Sequence, residues 1–183
     1  MTVLVLGDQL NRRHGPVAAD RDEPVLMIES TEFARRHPYH PHKLTLVFSA
    51  MRHFRDALRE RGRTVSYRQC ETFEEGIAAH LAAHPGDGLV AMRPASHGAG
   101  ERLRDLVTAH GGSLDLVEND LFLCDPETFD DWAADRSGFT HEAFYRFMRR
   151  RTGYLMDGDD PIGGQWNYDE QNRETPPTGY EPP

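Results

Sequence analysis

Short apolar runs in the first half of this chain end on polar side chains suited to meeting a ligand. Gly7-Asp8-Gln9 follows the first run, Glu29-Ser30 the second and Arg93 the fourth. A carboxylate or carboxamide at such a point hydrogen-bonds a heterocycle, a ribose or a ribityl chain. The alternative is local: Asp8 and Gln9 cap the next turn. A second group lies on the helical pattern at 43–61, where Ser49, Arg52, His53 and Asp56 form a polar stripe. Ser49 and Arg52 are i, i+3 neighbours, so a cation and a hydroxyl share one face. Either they face a ligand, or the stripe is solvated and Arg52 pairs with Asp56.

Other clusters point less clearly to chemistry. His37, His40 and His42 have metal-binding side chains, but prolines interrupt them and no carboxylate or cysteine has a companion spacing. A surface or pocket-lining loop is the expectation there, with no metal site. Arg146, Arg149, Arg150 and Arg151 alternate with Phe144, Tyr145, Phe147 and Met148. Such a helix meets phosphate or single-stranded bases, or it docks its aromatics on a neighbouring domain and leaves its arginines in water; docking is the favoured reading. No Ser-His-Asp, Cys-His or paired-carboxylate arrangement is specific enough to name a hydrolase, so no catalytic residue is named. GxGxxG and GxxxxGK[ST] are also absent, which weighs against a small nucleotide-binding α/β protein.

These residues need a scaffold, and the hydrophobic pattern supplies one. Runs at 2–6, 24–28, 64–67, 88–92 and 114–117 are short and apolar, as buried parallel strands are. Between them lie helical patterns. Leu44, Val47, Met51, Phe54 and Leu58 form one stripe ending before Gly62, Thr72 and Glu75 form a capping box ahead of Phe73, Ile77 and Leu81, and Leu103, Leu106 and Val107 mark a helix at 101–110. The alternation predicts an α/β fold: a Rossmann-like, open, parallel five-stranded sheet with helices on both faces. Short helices at 126–134 and 141–151 follow. An irregular tail without periodicity completes the chain, giving a domain at 1–151 and a linker or tail at 152–183.

Composition narrows the function classes. The 183 residues carry a net charge of −9, and residues 152–183 hold seven acids against one base, leaving 23 acids and 20 bases for the rest. That balance gives no support for tight nucleic-acid binding by this chain. The two cysteines, Cys70 and Cys124, are far apart and read as small buried residues in a reducing cytoplasm. No apolar run reaches the ~20 residues a membrane span needs, and the N-terminus reads as a strand rather than a signal peptide.

Several strings, in order, resemble a known family. VLVLGDQL, IES and HKLTLVFSAMRHFRDALRERG, then ENDLFLCDPETFDDW and FYRFMRRRTGYLMDGDDPIGGQWNYDEQNRE, are similar to the N-terminal region of deoxyribodipyrimidine photolyase-related proteins. These form the iron–sulfur branch of the photolyase/cryptochrome family. Gln165 departs from the basic residue common there. The resemblance implies a light-harvesting domain for 6,7-dimethyl-8-ribityllumazine. Its implied pocket residues are Asp8, Gln9, Leu10, Glu29, Tyr39, His42, Lys43, Ser49 and Arg52. It further implies a helical partner domain holding FAD and a four-cysteine 4Fe–4S cluster, through which alone damaged DNA would be met. The arginine–aromatic helix and the GGQWNYDEQNR segment would be docking surface and interdomain linker. A chromophore-free module pairing with a separate helical partner is the rival reading. Two cysteines cannot supply a four-cysteine cluster, so repair activity is not expected of these residues alone.

Overall fold

Parallel pairing of the five apolar runs organises the first part of the chain. The computed structural model describes residues 1–18, 22–169, 175 and 177–181. The strands are β1 (Thr2–Val5), β2 (Val25–Ser30), β3 (Val65–Cys70), β4 (Gly88–Met92) and β5 (Ser113–Val117), in the order β3-β2-β1-β4-β5. Every pair in this sheet is parallel. The order reverses beside β1, so the switch in winding falls between β1 and β4. That is where open α/β sheets leave a crevice at the carboxyl ends of their strands.

The helices are α1 (Thr31–Arg36), α2 (Pro41–Arg59), α3 (Phe73–Ala83) and α4 (Ala99–Ala109). Met51, Phe54 and Leu58 of α2 bury against Val3, Val5, Val25, Met27 and Val65 on one face of the sheet. Ile77 and Leu81 of α3, with Leu103 and Val107 of α4, bury against Leu4, Leu26, Ile28, Leu89 and Leu114 on the other. Strand residues of opposite parity thus feed two apolar layers, as strand geometry requires. Between β1 and β2 there is no crossover helix among the described residues. The described part of the connection runs as turns and irregular chain, with Val17 plugged into the α2-side core.

Several boundaries differ from the sequence reading. The 37–42 segment was expected to be loop throughout, yet α2 starts at Pro41. Pro is well suited to the first helical position, where no N–H is needed, and His40 caps the helix by accepting from the His42 N–H at 3.2 Å. The six-residue helix α1 was not anticipated. β3 runs on to Cys70, and β2 runs on to Ser30, so Glu29 lies inside its strand rather than after it. The capping box at Thr72 and Glu75 forms as expected. Cys70 and Cys124 are half-buried rather than buried.

Close packing of α3 on β2 depends on Gly76. A Cβ there would lie 2.6 Å from Cγ2 of Ile28, a buried and β-branched residue with little room to turn. Alanine would favour the helix by about 1 kcal/mol, but overpacking a filled core costs about 1–3 kcal/mol. Gly76→Ala is therefore expected to lower the urea midpoint. An unchanged or raised midpoint would show that Ile28 yields freely.

The chain divides into two compact units, Met1–Phe122 and Leu123–Pro183. The second holds α5 (Pro126–Ala133), α6 (His141–Thr152) and a hairpin of β6 (Met156–Asp157) with β7 (Asp160–Pro161). Its centre is aromatic. Trp132 sits within 5.0–6.0 Å, ring to ring, of Phe129, Phe139, Phe144 and Phe147. Arg149 is buried rather than solvated as expected. It donates to the carbonyls of Tyr154 (3.3 Å), Leu155 and Trp166 (3.1 Å). Trp166 lies under the guanidinium groups of Arg146, Arg149 and Arg150. The segment at 153–166, expected to be irregular, is thus folded onto α6. Much of GGQWNYDEQNR falls within the described residues, but positions 170–174 lie outside them.

Candidate functional site

A dense polar arrangement is built around Glu29, near the carboxyl end of β2. Alternation along β2 sends Glu29 to the same face as Val25 and Met27, the face that α2 covers. Glu29 is 7% exposed. Arg52 of α2 grips it as a fork, Nε to Oε2 at 2.9 Å and Nη2 to Oε1 at 2.5 Å. The Tyr67 hydroxyl donates to Oε2, and Gln69 Nε2 donates to Oε1 at 3.0 Å. Four donors therefore occupy both carboxylate oxygens.

The electrostatics follow from these contacts. The Arg52 fork holds the Glu29 carboxyl down at about 2; burial opposes the shift, and Tyr67 and Gln69 add to it. Burial, together with the hydrogen bond to Glu29, pushes the Tyr67 phenol up. Glu29 is thus a fixed carboxylate and Tyr67 a fixed hydroxyl donor. The cluster does not exchange protons near neutrality; it is a rigid, charged wall. Arg52 remains 49% exposed, so its outer face is open to solvent.

The other sequence candidates fall around this wall in different ways. Gln9 is buried, and its Nε2 donates to the carbonyls of Met92 (3.1 Å) and Arg93 (3.2 Å). It therefore ties the ends of β1 and β4 together at the switch point, which is a structural role. Asp8 is exposed at the end of β1. Leu10 packs on the α2-side core. Tyr39 stacks on Phe33 at 5.0 Å, with Lys43 Nζ 4.0 Å above its ring. His42 is exposed, and Ser49 is half-buried on α2. The structure joins Glu29 to Arg52 and Tyr39 to Lys43. Among the described residues no side-chain hydrogen bond, ion pair or ring contact links Asp8, Gln9, Leu10, His42 and Ser49 to one another.

The expected alternative pair of Arg52 with Asp56 does not form. Arg52 turns to Glu29, and Asp56 is taken by its neighbour Arg55, Nε to Oδ1 at 2.7 Å. Two members of the site, Tyr67 and Gln69, were not singled out from the sequence. Their signal was parity. Val65, Tyr67 and Gln69 alternate on one face of β3, and the register sets Gln69 opposite Glu29.

A carboxylate wall, an exposed guanidinium, a hydroxyl and a stacked aromatic pair at the ends of β2 and α2 suit a polyhydroxylated heteroaromatic ligand. The donor set fits a ribityl-lumazine in kind. It does not fit an iron–sulfur cluster, since this chain has only two cysteines.

Comparison with known proteins agrees with the strings noted in the sequence. The chain is 34% identical over 180 residues to the (6-4) photolyase of Agrobacterium fabrum, covering 94% of this chain and 36% of that protein. It therefore spans about a third of that relative's length. It is 26% identical over 140 residues to an uncharacterised protein of Acanthamoeba polyphaga mimivirus, covering 74% of this chain and 71% of that one. The family model for deoxyribodipyrimidine photo-lyase-related proteins matches residues 3–183. With nearly the whole chain aligned to that model, the protein belongs to the deoxyribodipyrimidine photo-lyase-related protein family.

Proposed function

We propose that the α/β unit is the light-harvesting part of a photolyase-like flavoprotein and binds 6,7-dimethyl-8-ribityllumazine near the carboxyl ends of β1 and β2. The observation that carries this reading is the Glu29 cluster. A buried carboxylate is costly to desolvate, and this one stands at the carboxyl end of β2, one strand away from the switch point beside β1 where this architecture takes ligands. Arg52, fixed by Glu29, would present its exposed side to the ligand. Tyr39 would offer a stacking surface, and Ser49, Lys43, His42 and Asp8 would bond the ribityl hydroxyls. When bound, the lumazine would absorb violet light and pass the excitation on. The residues of this chain hold and orient it.

On this reading the flavin, the iron–sulfur cluster and contact with damaged DNA belong to a helical domain outside these residues. The length relation to the Agrobacterium photolyase supports that division. A second reading also has support. The mimivirus relative consists mostly of the matched region, so the region serves in some settings as most of a protein. In that case the unit would act without a chromophore, by pairing with a separate helical partner. Titration with the lumazine separates the two. Saturable quenching of ligand fluorescence at micromolar protein is expected from the first reading. Absence of binding, with the chain folded by circular dichroism, would leave the second.

A further inference from the structure

The flank of α2 turned away from Glu29 lines a groove that the proposed chromophore site does not use. Its floor and walls are Leu10, Asn11, Arg12 and Arg13 from the segment after β1, with Ala50, His53, Phe54, Ala57 and Arg61 from α2 and its end. His53, Ala57 and Arg61 recur at i, i+4, i+8, so they form one row. Arg52 precedes His53 by one residue, which sets the two about 100° apart around the helix axis. One flank therefore holds Glu29 while the other opens on the groove. The groove has a volume of about 580 Å³, within the ~300–1,000 Å³ common for small-molecule sites.

Its charge runs against that of the molecule. The chain carries −9, yet among the described residues three arginines and a histidine line this groove and no carboxylate does. Elsewhere in this unit Arg52, Arg55 and Arg93 each meet a carboxylate. Arg12, Arg13 and Arg61 have no side-chain hydrogen bond or ion pair among the described residues. Glu60 is the carboxylate nearest to Arg61 in sequence and is not part of the lining. The floor is apolar and includes the edge of the buried Phe54. Guanidinium forks over an apolar floor match an organic ligand that carries phosphate.

We propose that this groove binds a nucleoside phosphate, with the arginines on the phosphates and the base against Leu10, Ala50, Phe54 and Ala57. The site shares only Leu10 with the residues expected around the lumazine, and its arginines belong to the groove alone. The test is calorimetric titration of the full chain with ADP, adenosine and inorganic pyrophosphate. ADP should bind, with adenosine and pyrophosphate each at least tenfold weaker. Arg12→Glu and Arg61→Glu should each weaken ADP by tenfold or more. Arg104→Glu makes the same charge change on exposed α4, which packs on the opposite face of the sheet, and should leave ADP binding within twofold. The proposal is overturned by no ADP binding at millimolar concentration, by pyrophosphate binding as tightly as ADP, or by an equal loss in Arg104→Glu. Circular dichroism of each variant separates loss of binding from loss of fold. Lumazine binding should be the same in Arg61→Glu and the parent chain, so failure of either site is read independently.

Discussion

Arg149→Met should release the segment at 153–166 from α6. The guanidinium is buried and donates to three backbone carbonyls, those of Tyr154, Leu155 and Trp166. It also donates to the Tyr145 hydroxyl, which itself donates to the Trp166 carbonyl at 2.9 Å. Methionine keeps much of the side-chain bulk and removes every donor. A buried acceptor left unsatisfied costs about 1–3 kcal/mol, and the ring contact with Trp166 is lost as well. These losses overlap, since a freed segment rehydrates its carbonyls, so a net cost of about 2–4 kcal/mol is expected. The readout is hydrogen exchange by mass spectrometry. Amides at 153–167 should exchange at rates close to those of an unstructured chain, while β1 and β2 stay protected. Arg150→Met serves as the control. Arg150 lies over the same ring but has no hydrogen bond to a carbonyl among the described residues, so its loss should matter little. Equal effects from the two variants would mean that stacking, and not the carbonyl bonds, fixes the segment.

Glu29→Ala should weaken the α/β unit and abolish lumazine binding together. It leaves Arg52, Tyr67 and Gln69 without their common acceptor, at a cost of about 2–3 kcal/mol. The pH dependence carries its own sign. The Glu29 carboxyl is held below its ordinary 4.5, at about 2. A group depressed in the folded state contributes stability that is complete above about 4.5 and lost as pH falls toward 2. The full interval corresponds to about 3 kcal/mol. Arg52 is half-exposed, and solvent screening reduces this to on the order of 1–2 kcal/mol. Asp87 contributes in the same direction at the other end of the sheet. Burial raises it, but hydrogen bonds from Thr2, His80 and the terminal amine prevail and hold it at about 2. Urea midpoints at pH 7 and pH 3 should therefore differ less in Glu29→Gln than in the parent chain, without converging. An unchanged difference would remove Glu29 from the acid response. Arg52→Ala, measured for lumazine affinity at neutral pH, tells whether the carboxylate acts on the ligand or through the arginine.

The parallel sheet was legible because buried strands leave continuous apolar runs, and 25–28 and 88–92 are such runs. The capping box at Thr72 was legible because its two residues are local. What escaped the sequence was non-local. Glu29 looked like a strand-end residue because its partners stand 23, 38 and 40 positions away. Asp56 looked like the partner of Arg52 because helical spacing allows it, yet a desolvated carboxylate competes better for a guanidinium than an exposed one. Gln9 looked like a ligand-binding amide, and its Nε2 is taken by the carbonyls of Met92, which ends β4, and of Arg93 just beyond it. The tail at 153–166 has no periodicity because one arginine, rather than an apolar stripe, organises it.

The place of β1 in the sheet bears on how the chain is made. β1 leaves the ribosome before the other four strands of its sheet, yet it ends up in the middle, with Thr2 beside Leu89. Its second neighbour is translated some 85 residues later, roughly 4–17 s at ordinary elongation rates. Through that interval one side of Val3, Leu4 and Val5 has an unpaired backbone, and the layer that buries Leu4 lacks α4. Nascent chains stalled before residue 88 should consequently bind holding chaperones and resist compaction. Chains stalled well beyond residue 117, with β5 clear of the exit tunnel, should be protease-resistant.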